Sequence, residues 1–290
     1  MIDLHTHTVY SDGTDSVVDL LKKAADKGLE VITITDHDTV NAYDELARLD
    51  ISKYFSGIII PGAELKTTFN KIPIEILAYN IDIEKMKESP CTNLVDKKTI
   101  QERYLQNFIE VGNTLGIECS PDLKMEVSEG YASNTYYKDI KKYPKNYDII
   151  PELLNDKQEK FYRLTSSNPM SPFYIDESSD NLDINFVIDE IHRCGGLAFL
   201  AHLYVYRIDS HIEFLESIIN ETKLDGIECY YSTFKEEETK TILEVTKKHK
   251  LYVSGGSDYH GMNKKDLDLG NGYGKLNISY EVIKDWFERK

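Results

Sequence analysis

The chain contains 290 residues, of which 41% are hydrophobic and 29% charged, so it can bury a large core and has the composition of a globular protein. Its formal net charge of −16 argues against a broad duplex-DNA surface, which needs many phosphate contacts from Lys and Arg. The sequence has no apolar run near the roughly 20 residues of a membrane helix, and it has no CxxC pair. We therefore expect a cytoplasmic protein without a signal peptide, with reduced thiols and with no membrane partner.

Short apolar runs along the chain predict buried strands that alternate with helices. The runs are Ile2–Leu4, Val31–Thr35, Ile58–Ile60, Ile74–Tyr79, Leu197–Ala201, Gly226–Tyr230 and Leu251–Ser254. Several lack strict polar alternation, as expected of a parallel sheet that is covered on both faces. Helical patterns lie between many of them, and the first has Asp15 as its expected cap and Gly28 as its expected end. We therefore predict an α/β fold with a parallel sheet or barrel.

Residues 92–180 interrupt this alternation because they contain no clear strand. The segment begins with an amphipathic pattern from Ile100 to Ile109 that ends near Gly116, and it then becomes rich in Tyr, Lys, Asn and Ser. We interpret it as a mostly helical insertion that caps the substrate. The barrel domain would then comprise residues 1–91 and 181–290.

Candidate metal ligands lie in, at or just beyond the ends of these strands. His5 and His7 are two residues apart, so an extended chain directs both imidazoles to one side. The other candidates are Asp12, Asp36, His37, Asp38, Glu64, Glu75, His202, Glu228, Asp258 and His260. Each motif alone is also typical of a surface pair, a helix cap or a core histidine. Together they predict a multi-metal site, since active sites of β/α barrels gather at the face where the strands end.

The motifs DLHTHTVYSDGT, TDHD, PGAE, AH and GSDYHG, in this order, resemble the PHP (polymerase and histidinol phosphatase) family. The resemblance implies a distorted seven-stranded, TIM-like β/α barrel, two or three divalent ions (Mn, Fe or Zn) and phosphoesterase activity. The helical insertion resembles that of a subgroup containing nucleotide phosphatases and exonucleases that act on short RNA.

Three metal sites are implied by this resemblance. The first would use His5, His7, Glu64 and Asp258; the second Asp12, His37 and His260; and the third His202 and residue 75, with Glu64 as a bridge. Two positions depart from the family pattern. Glu75 stands where many relatives have a histidine, which would favour harder cations such as Mn²⁺, and Leu203 stands where proline is usual.

The implied chemistry is attack on a phosphate by a hydroxide that bridges two metals. Asp258 or His260 would orient the nucleophile or relay a proton, and His202 would protonate the leaving oxygen or bind the third ion. Asp36, Asp38 and Glu228 are expected to support the ligands. Arg207 and Lys138 are candidate substrate ligands, with an ordinary surface arginine and a solvated helical face as the alternatives.

The sequence therefore predicts a metal-dependent phosphoesterase. Its substrate would be a small phosphate monoester, such as a nucleotide, a nucleoside bisphosphate or the end of a short single-stranded RNA. The alternatives are a histidinol-phosphate phosphatase and a PHP module that binds without catalysis.

Overall fold

The computed structural model describes residues 1–92, 97–125, 131–155, 158–176 and 180–288. The chain forms two compact units, Met1–Asn93 with Ser178–Lys290 and Leu94–Glu177. Residues 93–96, 126–130, 156–157 and 177–179 of the predicted insertion lie outside the described residues. None of the described helices is both long and apolar enough to cross a membrane.

A nearly closed sheet forms the centre of the first unit. Its strands are β1 (Ile2–Asp3), β2 (Val31–Ile34), β3 (Ile58–Phe69), β4 (Ile72–Tyr79), β5 (Leu182–Asp183), β6 (Leu197–Leu200), β7 (Gly226–Tyr231) and β8 (Tyr252–Gly256). Seven of them follow the order β1-β2-β3-β4-β6-β7-β8, and β5 pairs with β3. The residues that follow β1 hydrogen bond to β8 and to the segment after it. Leu4 N donates to Gly255 O at 3.2 Å, and His7 N donates to Tyr259 O at 2.8 Å. The predicted seven-stranded barrel fold is confirmed.

The expectation of a parallel sheet is wrong at β4. This strand runs antiparallel to both β3 and β6. No helix separates β3 from β4, because a tight turn at Asn70 and Lys71, both with positive φ (51° and 64°), folds them into a hairpin. The apolar run Ile58–Ile60 predicted only the start of β3. The strand continues through Gly62, where an added Cβ would lie 2.5 Å from the Thr33 side chain.

Helices cover the outside of the sheet or build the second unit. They are α1 (Val17–Asp26), α2 (Ala42–Leu46), α3 (Ile83–Lys87), α4 (Lys97–Leu115), α5 (Ala132–Ile140), α6 (Asn146–Ile149), α7 (Pro151–Leu154), α8 (Gln158–Leu164), α9 (Ile184–Arg193), α10 (His211–Glu221), α11 (Glu236–His249) and α12 (Lys284–Phe287). The cap of α1 is Ser16, whose hydroxyl accepts from Asp19 N at 3.1 Å, and not the predicted Asp15. Asp15 instead accepts hydrogen bonds from Lys23 and Tyr259.

The second unit contains no strand within its described residues, 97–125, 131–155 and 158–176. Its core is aromatic: the Phe108 ring lies 5.3 Å from Tyr136 and 5.7 Å from Phe173, between ring centroids. Buried Asn146 joins two segments, since its Nδ2 donates to Glu118 O at 2.7 Å and to Ile140 O at 2.8 Å. These contacts give the unit a core of its own, and its capping of a substrate stays a prediction.

Candidate metal centre

Four predicted ligands from separate parts of the barrel meet at one point. The Nε2 atoms of His5 and His7 each lie 3.2 Å from Oε2 of Glu64. The same two nitrogens lie 3.6 and 3.3 Å from Oδ1 of Asp258. Two ligands that bind one ion at about 2.1 Å are separated by roughly 3.0–3.5 Å, so these contacts have the spacing of a shared metal site.

The imidazole nitrogens at this point are suited to a cation. His5 Nε2 and His7 Nε2 are fully buried and donate or accept no hydrogen bond within the described part of the chain. Both face carboxylate oxygens, and mixed nitrogen and oxygen donors suit divalent transition metals. The residues present therefore fit the metal ions that the family resemblance implies.

A second group surrounds Asp12 in the loop after β1. Its Oδ1 lies 3.2 Å from His260 Nε2 and 3.6 Å from His7 Nδ1, and its Oδ2 lies 3.7 Å from His37 Nε2. His7 therefore faces Asp12 with one ring nitrogen and the first group with the other. The predicted second set of Asp12, His37 and His260 is brought together, with His7 beside it.

A third group contains two carboxylates and two histidines. His202 Nε2 lies 3.0 Å from Glu64 Oε1 and 3.2 Å from Glu75 Oε2. His37 Nδ1 lies 3.3 Å from Glu64 Oε2 and 3.4 Å from Glu75 Oε1. Glu75 thus lies beside Glu64, as the third predicted set requires. His37, which the sequence assigned to the second set alone, contacts both the second and the third group.

Glu75 lies in the middle of β4. Its side chain reaches the third group because β4 runs antiparallel to its neighbours. Tyr206 fixes the backbone here: its hydroxyl accepts from Glu75 N at 3.0 Å and donates to Ala201 O at 3.1 Å. The strand carrying Glu75 is thereby tied to the end of β6, next to His202.

Three residues at the strand ends have a backbone that non-glycine residues rarely adopt. Asp38, His202 and Asp258 have φ values of 51°, 22° and 57°. Such conformations cost about 1–3 kcal/mol each and persist where surrounding structure enforces them. His202 and Asp258 are themselves candidate ligands, and Asp38 follows His37. These three strained positions therefore lie at the candidate centre.

Glu228 lies behind the histidines, where it supports their orientation. Its Oε1 is 2.9 Å from His5 Nδ1, and its Oε2 accepts from His202 N at 2.9 Å. We assign the Nδ1–H tautomer to His5 on this contact, which directs Nε2 to the centre.

The hydrogen bonds of Asp36 and Asp38 differ from the predicted support of histidine rings. Asp36 accepts from Thr8 N at 2.7 Å and from the Ser11 hydroxyl at 2.6 Å. Asp38 accepts from Lys66 N at 2.9 Å. Asp36 is bound by backbone and hydroxyl donors and Asp38 by a backbone N–H, so these aspartates hold the ligand-bearing loops in place.

Three residues near the centre were not predicted from the sequence. Buried Asp3 accepts from Ser257 N at 2.8 Å and from Gly270 N at 2.8 Å, which joins β1 to the segment before Asp258. Tyr231 and Lys264 both donate to Asp258. A charged residue inside the apolar run Ile2–Leu4 was a usable signal for Asp3, whereas Tyr231 and Lys264 belong to no motif.

The carboxylates and histidines in the centre stabilise one another's charged forms. Burial disfavours the ionised form of Glu64, yet the charges of His5 and His37 hold the pKa of its carboxyl well below the ordinary range. Burial also disfavours protonation of His7, but the nearby carboxylates of Asp258 and Glu64 raise its pKa to about 9. Glu64 and Glu75 likewise raise the pKa of His202 to about 10 against the effect of burial. The ionised carboxylates that stabilise these protons would also stabilise a metal ion.

The two predicted substrate ligands are exposed. Arg207 follows the turn after His202, and Lys138 lies on α5 of the second unit. Their contacts with a substrate stay predictions.

Comparison with known proteins assigns the family. The PHP domain family matches residues 3–229 of the chain. The chain belongs to the PHP family. The family predicted from the sequence is thus confirmed, and its metal dependence agrees with the donor groups around Glu64.

Several relatives of this PHP protein have named activities. It is 27% identical over 266 residues to a 5'-3' exoribonuclease of Haemophilus influenzae, with 89% of each chain covered. A 3',5'-nucleoside bisphosphate phosphatase of Chromobacterium violaceum is 23% identical, with 93% of this chain and 90% of the relative covered. A proposed metal-dependent phosphoesterase from Bifidobacterium adolescentis has the same fold, with a TM-score of 0.67 at 21% identity over 98% of this chain and 94% of that one.

Metal binding by this PHP protein should depend strongly on pH. The pKa values of about 9 for His7 and about 10 for His202 mean that both carry protons at neutral pH, and a bound metal must displace them. Apparent Zn²⁺ affinity, measured against a competing chelator, is expected to rise about 10-fold per pH unit for each histidine displaced between pH 6 and 8.5. An affinity that stays constant over this range would contradict the assignment.

Replacing Glu228 should weaken metal binding without direct loss of a ligand. Glu228→Ala removes the acceptor for His5 Nδ1, and such supporting contacts are typically worth 10- to 100-fold in metal affinity. Asp225→Ala is a matched control, because Asp225 Oδ2 is likewise 2.7 Å from a histidine ring, that of His192, and accepts from Ala198 N at 2.8 Å. Calorimetric titration with Zn²⁺ should show weaker binding for Glu228→Ala only. Equal losses in both variants would reduce Glu228 to a structural role.

Proposed function

We propose that this PHP protein is a metal-dependent phosphoesterase that hydrolyses a small phosphate monoester: a nucleotide, a nucleoside bisphosphate or the end of a short oligonucleotide. The observation that carries the proposal is the set of donor groups that share Glu64. Four histidine nitrogens lie 3.0–3.3 Å from the oxygens of this one buried carboxylate. A metal-dependent phosphoesterase needs several donor groups that converge on one site in this way.

The centre would hold two or three divalent ions (Mn, Fe or Zn). His5, His7, Glu64 and Asp258 would bind the first, and Asp12, His37 and His260 the second. His202, Glu64 and Glu75 would bind the third. When bound, closely spaced divalent ions supply Lewis-acid activation of water and a clamp for the phosphate.

The side chains of the protein would orient the water, transfer protons and bind the substrate. Asp258 or His260 would orient the attacking water or relay its proton. His202, which lies at the end of β6 and is 5% exposed, delivers a proton to the leaving oxygen when it does not serve the third ion. Arg207 and Lys138 bind phosphate oxygens, and the insertion of residues 92–180 covers the substrate.

The activities for which the relatives are named support this substrate class. An exoribonuclease and a nucleoside bisphosphate phosphatase both act on nucleotide phosphates, and a relative from Eggerthella lenta, 24% identical over 259 residues, is a phosphoribosyl 1,2-cyclic phosphate 1,2-diphosphodiesterase. These names favour a phosphorylated ribose over histidinol phosphate. The intact donor groups favour an enzyme over a binding module without catalysis.

A phosphate-release screen with Mn²⁺ tests the proposal. Nucleotides, nucleoside bisphosphates, short RNA, sugar phosphates and histidinol phosphate are offered to the metal-loaded protein. We expect the highest kcat/KM among the nucleotide and RNA substrates. Highest activity on histidinol phosphate would support the alternative substrate, and no release from any compound would contradict the enzymatic proposal.

His37→Ala and Asp258→Ala should each lower turnover by more than about 100-fold, since each removes a proposed ligand rather than a supporting residue. His192→Ala is the control, because this histidine pairs with Asp225 outside the centre. Circular dichroism checks that the fold is retained. Near-wild-type turnover in a folded ligand variant would remove that residue from the site.

Glu75 should set the metal preference. Its carboxylate brings one more negative charge than a histidine, so Mn²⁺ should activate better than Zn²⁺, and Glu75→His should move the preference toward Zn²⁺. Glu75→Ala should lower the occupancy of one site and spare the others. Metal titrations of the wild type and both variants measure this. The same stoichiometry and preference in all three proteins would exclude Glu75 as a ligand.

A further inference from the structure

The two oxygens of Asp258 have different surroundings. Oδ1 faces ring nitrogens, at 3.3 Å from His7 Nε2, 3.6 Å from His5 Nε2 and 3.2 Å from His260 Nδ1. Oδ2 instead accepts two hydrogen bonds, from the Tyr231 hydroxyl at 2.6 Å and from Lys264 Nζ at 2.5 Å. One side of the carboxylate is thus open to the centre, and the other is held by protein donors.

The two donors come from different elements. Tyr231 is the last residue of β7 and is 8% exposed, with its ring 5.4 Å from that of His202 between centroids. Lys264 ends the short turn Gly261–Lys264 that follows His260. Asp258 itself has a left-handed backbone, with φ of 57°. The backbone conformation of Asp258 and the two donors together fix the position of its side chain.

We propose that Tyr231 and Lys264 are positioning residues that hold Oδ2 of Asp258, so that the carboxylate presents only Oδ1 to a metal ion shared with His5 and His7. Hydrogen bonds to the ligating groups commonly orient them and tune affinity. This inference rests on the metal centre of the proposed function and is independent of the substrate.

The inference can be tested at Lys264 by whether metal affinity falls or rises when this residue is replaced. An ammonium group next to a cation site repels the metal ion, so a lysine that acted only through its charge would weaken binding. As a donor that orients Asp258, the same lysine strengthens binding. The two roles predict opposite changes when Lys264 becomes a neutral side chain of similar length.

Tyr231 tests orientation without a change of charge. Tyr231→Phe keeps the ring that packs near His202 and removes only the hydroxyl that donates to Oδ2. Because this variant preserves the packing, it remains informative should Lys264→Met disturb the fold.

The experiment titrates the metal-stripped, full-length protein with Co²⁺ and Zn²⁺. Calorimetry gives the affinity, and the visible spectrum of the Co²⁺ form reports ligand geometry. Lys23→Met is the matched control, because Lys23 and Tyr259 both donate to Asp15, at 2.6 and 2.8 Å, as Lys264 and Tyr231 both donate to Asp258. Among the described residues, Lys23 contacts no proposed ligand. Lys264→Arg preserves both charge and donor.

We expect Tyr231→Phe and Lys264→Met each to lower metal affinity by about 10- to 100-fold and to change the Co²⁺ spectrum. Lys264→Arg should recover most of the affinity, and Lys23→Met should match the wild type. Unchanged or tighter binding in Lys264→Met and Tyr231→Phe, with a wild-type spectrum, would overturn the positioning role and leave the metal centre standing. A wild-type protein that binds neither metal would overturn the centre and this inference together.

Discussion

Glu64 is the group on which the rest of the site depends. It is 1% exposed, and burying an isolated carboxylate is unfavourable by several kcal/mol unless opposite charge and donors compensate it. The compensation comes from histidines that are distant in the sequence, with His202 at Oε1 and His5 among those at Oε2. The barrel must therefore bring several strand ends to within about 3 Å of one carboxylate, and the near closure of the sheet achieves this.

Other buried carboxylates keep these strand ends in place. Asp3 holds the segment before Asp258 to β1, Asp36 holds the loop after His7, and Glu228 binds the backbone of His202. Each accepts at least one backbone N–H, so each fixes the chain itself. Rigid strand ends with satisfied supporting contacts are what a preorganised site requires. The positive φ angles of His202 and Asp258 show that this order is maintained against local backbone preference.

Local patterns predicted much of this architecture, because ligands two residues apart and apolar runs before them are properties of short segments. His5 and His7 are the clearest case, and both lie where the strand pattern directs them. Pairing between distant segments was not predictable in the same way. No local pattern shows that β4 runs antiparallel to its neighbours. Glu75 was a candidate because it lies in a predicted strand, and only the family resemblance assigned it to a third metal ion. Tyr231 and Lys264 are 33 residues apart along the chain and meet only at Asp258, so no motif could join them.

The central claim is that the groups around Glu64 form a metal centre. Anomalous diffraction from crystals of the Zn²⁺- or Mn²⁺-loaded protein tests it most directly. The account predicts a peak about 2.1 Å from the Nε2 atoms of His5 and His7, with Glu64 and Asp258 completing its ligands, and at least one further peak near His37. Crystals of the metal-loaded protein without a peak among these four residues, with Glu64 still in contact with the histidines, would contradict it.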